Sequence, residues 1–294
     1  MAYASVSPSE PRSAVPERAP WPREGWRATL DLGIADSSGR SVLVRRRHEG
    51  PLHVQKALYP EGGEVCHIVV VHPPGGIVGG DQLAIDVEVG PQAHALVTTP
   101  GATKWYGSDA RRARQEVRLT LQAGSVLEWL PQESIVFDAA DAETALTVTM
   151  AAGATFVGME IVCLGRTASG ETFARGRLGV ATTVTRVGAT LWLERGVVHG
   201  GDPLLQSPVG FAGQPVTGTL LVAADDVDPD LRDACRTIAP AAGRGAVTLL
   251  PGILVARYLG PGAEPAREWL ASVWSAVRRS VTGCAPALPR LWNT

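Results

Sequence analysis

The chain has 294 residues, 45% hydrophobic and 19% charged, enough apolar material for a substantial core in one large or two smaller domains. Its 29 acidic residues nearly balance 27 basic ones, and the formal net charge of -2 leaves no electrostatic footprint for nucleic acid or an anionic membrane. Cys66, Cys163, Cys235 and Cys284 are widely spread and form no Cys-x-x-Cys, so neither a zinc knuckle nor a dense disulfide framework is indicated.

Residues 1–25 carry prolines at 8, 11, 16, 20 and 22, with Glu10, Glu17 and Glu24 among arginines. This is neither the apolar stretch of a signal peptide nor an acid-poor transit peptide; it reads as a disordered tail preceding one domain over 26–294. From about 27 to 224 the pattern is β, with short Val, Ile, Leu and Thr segments between Gly, Pro, Asp and Ser clusters. VCHIVVVH (65–72) is apolar on both faces, as a strand covered on two sides would be. Cys66 and His67 point to opposite faces, and Cys66 and His72 stand roughly 20 Å apart along the strand, so they cannot share an ion within it.

HPPGGIVGGDQL (72–83) crowds glycines as a phosphate loop would, but Asp81 stands where that loop needs lysine, and the dinucleotide fingerprint is absent. Two readings remain: a tight turn whose amides Asp81 bonds, the ordinary one, or a turn that presents Asp81 to a cation. TTPGATKWYGSD (98–109) places Lys104, Trp105 and Tyr106 beside a Pro-Gly turn, an edge suited equally to core packing, a partner surface or a ligand contact. RQEVRLTL (114–121) alternates cleanly, with Val117, Leu119 and Leu121 on one face, and predicts a half-exposed strand. EWLPQESIVFDAAD adds Glu128, Glu133 and Asp138 in one strand-turn-strand segment.

In ATFVGMEIVCLG (154–165) Glu160 lies inside an apolar strand, where a charge is costly unless paired or hydrated. Either it pairs with an arginine, Arg166 or Arg175 being nearest in sequence, or it lines a water-filled site. The run is shorter than a membrane span and holds Gly153, Gly158 and Glu160, so a soluble cytoplasmic protein is expected. Beyond 225 the period changes: helices are predicted near 229–240, with Asp228 as N-cap and Pro229 at the first position, and near 264–282, where Trp269, Val273, Val277 and Val281 form a stripe and Arg278 and Arg279 fall in the last turn. No fixed-period repeat is visible, and no Gly-x-Ser-x-Gly elbow marks a nucleophile. The body should be a layered or coiled all-β structure.

GPLHVQKALYPEG (50–62), CHIVVVHPPGGIVGGDQL (66–83), TTPGATKWYGS (98–108), EWLPQESIVFDAA (128–140), GRTASGETFARG (165–176) and the closing LPRLWNT (288–294) together resemble the urease accessory proteins UreD, called UreH in some organisms. The order and spacing match over about 50–176. The resemblance implies a mainly β fold of β-helix-like stacked sheets with two C-terminal α-helices. It also implies a nickel metallochaperone scaffold rather than an enzyme, which binds apo-urease and, with UreF and the GTPase UreG, delivers nickel in transit, with no tightly bound cofactor. The family is proposed to lead nickel through an internal tunnel, and the acidic positions matching its motifs are Asp81, Glu133, Asp138, Glu160 and Glu171. Lys104, Trp105 and Tyr106 are the candidate protein-contact residues. Two alternatives stay open: a β-helical carbohydrate-active enzyme using two of Glu128, Glu133, Asp138 and Glu160, and a purely structural adaptor.

Overall fold

The computed structural model describes residues 25–108 and 111–293, so the predicted N-terminal tail lies, apart from Gly25, outside the described residues. The chain opens with a hairpin, β1 (Arg27–Asp36) and β2 (Ser41–Glu49), and reaches its first coil through the two-residue β3 (His53–Val54). Four coils follow. They comprise β4 (Val65–Val71), β5 (Gly76–Ile77) and β6 (Gln82–Val89); β7 (His94–Thr98), β8 (Thr103–Trp105) and β9 (Ala113–Leu121); β10 (Val126–Leu130), β11 (Ser134–Val136) and β12 (Asp141–Met150); and β13 (Thr155–Leu164), which passes through a 3-10 turn at Thr167–Ser169 into β14 (Arg177–Arg186).

Corresponding strands stack in parallel. Val65, His94, Val126 and Thr155 align across β4, β7, β10 and β13, so the coils start roughly 30 residues apart, within the range of solenoid repeats. The other long strands, β6, β9, β12 and β14, stack in parallel with β1 beside β6, and the short strands β5, β8, β11 close the third side. The mainly β, stacked-sheet architecture expected from the sequence is therefore the observed one. Its repeat escaped sequence reading because the coils share a length but no residue signature.

After the fourth coil the pairing turns antiparallel. β15 (Ala189–His199) caps the first sheet against β14, and β16 (Val216–Ala223) extends the second against β13. Helix α1 (Pro229–Arg236) then leads into the hairpin β17 (Arg244–Leu250) and β18 (Ile253–Gly260), and helix α2 (Ala263–Thr282) lies across β13, β16 and β18. The hairpin was not expected from the sequence, although Pro251-Gly252 between apolar runs is a turn signal. Helix α1 is capped by the Asp228 side chain, which accepts from Asp230 N, as expected. It stops at Arg236 rather than near 240, because Pro240 turns the preceding residue away from helical backbone.

Two cores share the second sheet. Leu30, Leu32, Leu119, Phe156 and Leu164 fill the space between the sheets, while Val157, Met159, Ile161 and Leu220 face Trp269, Leu270, Val273 and Trp274 of α2. This double coverage explains why β4 and β13 read as apolar on both faces, whereas β9 buries only Val117, Leu119 and Leu121 of its alternating run.

Candidate functional site

The space between the sheets is not completely filled. A cavity of about 230 Å³, room for several waters, is lined by Leu83 and Ile85 of β6, Gln115 and Val117 of β9, Thr144 and Leu146 of β12, Thr182 of β14, and Trp129 and Glu160 from the opposite sheet. Because β6, β9, β12 and β14 are successive strands, the cavity runs roughly 14 Å along the solenoid axis at about 4.8 Å per strand. His72, Gly76, Thr103, Gln132 and Ser134 close its side, so its polar lining is oxygen and amide with a single imidazole.

Glu160 supplies the cavity's carboxylate. The inter-sheet face of β13 carries it there among Phe156, Val162 and Leu164, and it has no hydrogen-bond or ion-pair partner among the described residues. The arginines proposed for it pair elsewhere: Arg166 with Glu171 at 2.6 Å, and Arg175 with Asp138 at 2.6 Å. That expectation fails because both arginines lie beyond the end of β13, outside the sheet interior. Along the same face, Glu160 is followed by Thr219 of β16 and Arg257 of β18; Arg257 bonds the Thr219 hydroxyl and pairs with Glu194 of β15 at 2.7 Å. Burial, with the Glu194 charge adding to it and Arg257 opposing, pushes the Glu160 carboxyl up to about 7.

Asp81 is 7% exposed and accepts from Val78 N and Trp26 N, each at 3.0 Å. This is the turn reading of the glycine-rich stretch: Gly75 and Gly80 take positive φ (71° and 95°), and Gly76 is required for another reason, since a Cβ there would run into the Tyr106 ring. The neighbouring His72 is held below its ordinary range by burial, which outweighs the Asp81 charge.

Glu133 pairs with Arg267 of α2 and lines a separate surface depression of about 890 Å³ with Lys104, Tyr106, Phe137, Cys163 and Arg166. Burial, then the Glu133 charge, pushes the Cys163 thiol up to about 12, so it is a neutral packing group. Asp138 accepts from Ala174 N, Arg175 N and the Arg175 guanidinium, and Glu171 accepts from Asp138 N, Arg166 N and the Arg166 guanidinium. Those guanidinium bonds hold both carboxyls below their usual range. Asp138 and Glu171 thus knit one loop pair together, while Asp81, Glu133 and Glu160 stand apart. Among the described residues no three His, Cys, Asp or Glu side chains come together as a metal-holding group.

Lys104 and Tyr106 are exposed beside this depression, and Tyr106 stacks edge-on against Phe137 at 5.0 Å. Trp105 requires correction as a contact residue: strand alternation turns it inward, and at 1% exposure it belongs to the inter-sheet core. Of the carboxylates weighed as a hydrolytic pair, Glu128, Glu133 and Asp138 are ion-paired, and Glu128 is fully buried on the face opposite the cavity.

Sequence reasoning missed the buried ionic cluster under α2. Arg278, 0% exposed, bonds Glu128 at 2.9 Å and Glu61 at 2.5 Å, and Glu61 holds His67 at 2.6 Å. The available signal was position: Arg278 is four residues after Trp274 and one after Val277, which puts it on the buried stripe.

The fold is thus of the β-solenoid class, four coils with helices on one flank and a cavity between the sheets into which Glu160 brings a carboxylate. Comparison with known proteins gives its kinship. The family model described as UreD urease accessory protein matches residues 27–293. Proteins named urease accessory protein UreD are 55% identical over 270 residues in Azoarcus sp. strain BH72 (92% of this chain, 95% of the relative), 49% over 283 in Dechloromonas aromatica (95% and 97%), and 48% over 270 in Pseudomonas aeruginosa PAO1 (92% and 95%). The chain belongs to the UreD family of urease accessory proteins.

Proposed function

We propose that this chain is a nickel-guiding scaffold of urease maturation: it binds apo-urease in the cytoplasm and, with UreF and UreG, passes nickel through its axial cavity to the urease active site. The observation that carries this reading is Glu160, a carboxylate with no hydrogen-bond or ion-pair partner among the described residues, in a cavity lined by strands of successive coils, in a chain of this family. A half-buried carboxylate persists in an apolar sheet at a cost, which a role for it in contacting a cation would explain. Hydroxyl, amide and carboxylate oxygens hold a borderline divalent ion loosely, whereas several imidazoles or thiolates would retain it, and transit needs release at each step. The chain's part is to line the path; energy for the process comes from the GTPase partner.

The test is urease nickel content by elemental analysis after co-expression of urease and its accessory proteins with Glu160→Gln or Thr182→Leu chains, the latter narrowing the cavity. Nickel content and activity should fall severalfold with both variants while urease binding persists. Full loading with both would leave the chain as a structural adaptor.

A further inference from the structure

On the face of the second sheet opposite the cavity, the ionic cluster under α2 ends at a thiol. Glu128 of β10 accepts from Trp274 Nε1 at 2.7 Å and from Arg278 Nε at 3.0 Å, and its Oε1 lies 2.9 Å from His94 Nε2. The other nitrogen of that ring, Nδ1, lies 3.7 Å from Cys284 Sγ. Cys284 follows Gly283, the left-handed C-cap of α2, and its backbone N–H is fixed on Thr282 Oγ1 at 3.1 Å. The sulfur, imidazole and carboxylate are therefore linked in series, with the carboxylate held by Arg278 and Trp274.

This arrangement sets the protonation of all three groups. With Glu128 ionised, His94 is driven to carry protons on both nitrogens: burial works against the charge, but the bonds to Cys284 and Glu128 outweigh it and push the imidazole up to about 9. The same bond from His94, against burial and with help from Thr282 and Arg278, holds the Cys284 thiol below its ordinary range. Both shifts favour one state, a thiolate beside an imidazolium. Of the four free cysteines, Cys66, Cys163 and Cys235 are buried, and the thiols of all three are pushed up by burial; Cys284 is partly exposed.

We propose that Cys284 is a nucleophilic thiolate activated by His94 and Glu128, and that it is a site of oxidation by peroxides. Cys284 lines neither cavity described above, and a peroxide, unlike an acyl or peptide substrate, needs only access to sulfur. In the step, a sulfur lone pair attacks one peroxide oxygen and the O–O bond breaks. Sulfur is oxidised by two electrons to the sulfenic acid, and the departing hydroxide takes the His94 proton to leave as water. Thiolate, imidazolium and hydrogen peroxide thus give sulfenic acid, neutral imidazole and water. The groups facing the sulfur are His94 from β7 and Arg278 and Thr282 from α2, with Glu128 and Glu61 behind them.

The full chain is labelled with iodoacetamide between pH 5.5 and 9, folded and in urea, and modification of the Cys284 peptide is followed by mass spectrometry. In urea the thiol should titrate near its ordinary value of about 8.5 and label slowly at pH 6.5. The labelling profile of folded Cys284 should be displaced to lower pH than the profile in urea, and at pH 6.5 it should label at least about tenfold faster than in urea. Treatment with one equivalent of hydrogen peroxide followed by a cyclic 1,3-dione should leave the sulfenic adduct on Cys284. A folded Cys284 whose labelling rises with pH as it does in urea, or one that takes no dione, overturns the proposal. His94→Gln should move the folded profile back to the alkaline one; because that side chain is buried, the urea comparison carries the test even if the variant does not fold.

Discussion

The cost of keeping Glu160 in an apolar sheet depends on pH in a definite sense. Its folded value of about 7 lies above the ordinary value near 4.5, so the folded chain holds a proton that the unfolded chain has released. Below the ordinary value both states are protonated and there is no penalty. As pH rises between the two values the folded state loses stability, and above about 7 the loss is complete, at most about 3 kcal/mol. Glu160→Gln removes the ionisation while keeping the shape. We therefore expect the variant to melt several degrees above the parent at pH 8 and to match it at pH 4.5, by differential scanning calorimetry; equal differences at both would place the effect in packing. Asp81 is the opposite case. Its two oxygens hold the amides of Val78 and Trp26, so Asp81→Ala orphans two donors beside the core and should cost about 1–3 kcal/mol in urea unfolding whatever its effect on nickel. Both side chains were visible in the sequence as carboxylates out of place. What separates them, a turn on one side and a cavity on the other, needs partners distant in the chain.

Among the elements, α2 was the most legible and held the largest surprise. Its apolar stripe and its Gly283 terminus follow from helical spacing, but a basic residue in a last turn ordinarily reads as solvent-facing and dipole-complementing. Arg278 instead fastens the helix to the second sheet through Glu128 and Glu61, and with them to the loop before β4. Removing the guanidinium takes away the cation that Glu128 and Glu61 share and leaves them only His94 and His67 as partners, which should cost about 3–5 kcal/mol. Arg278→Met tests this by chemical unfolding; Arg278→Met combined with Glu128→Gln should recover part of the loss, since the second change removes a charge the first strands. A double variant no more stable than the single would mean that Arg278 acts through packing over Trp274, whose ring its guanidinium covers at 5.0 Å. The end of the short strand β8 shows the limit of local reading in miniature: Lys104, Trp105 and the following Tyr106 looked like one surface, and the backbone sends Trp105 to the core and leaves Lys104 and Tyr106 outside.

For the whole molecule, the stacking of coils decides where stability resides. Each coil pairs with the coils or flanking strands beside it, so a strand's protection depends on how many of its sides are covered. β10 and β13 have hydrogen-bonded strands on both edges, the inter-sheet core on one face and the second core on the other. Among the described residues β2 and β15 end the first sheet, each with one edge that no strand pairs, and they expose Val44, Leu193 and Val197. Hydrogen exchange of the native chain should therefore be slowest at amides of β10 and β13, opening only with global unfolding, and faster by orders of magnitude on β2 and β15. Uniform protection across both sheets would mean that the solenoid opens as one unit and that its ends are tied by contacts outside the strand ladders. Graded protection has a mechanical consequence for the proposed role: the cavity is walled in part by β10 and β13, its most firmly held strands, so Glu160 keeps its place while the outer strands β2 and β15 remain free to adapt to another protein.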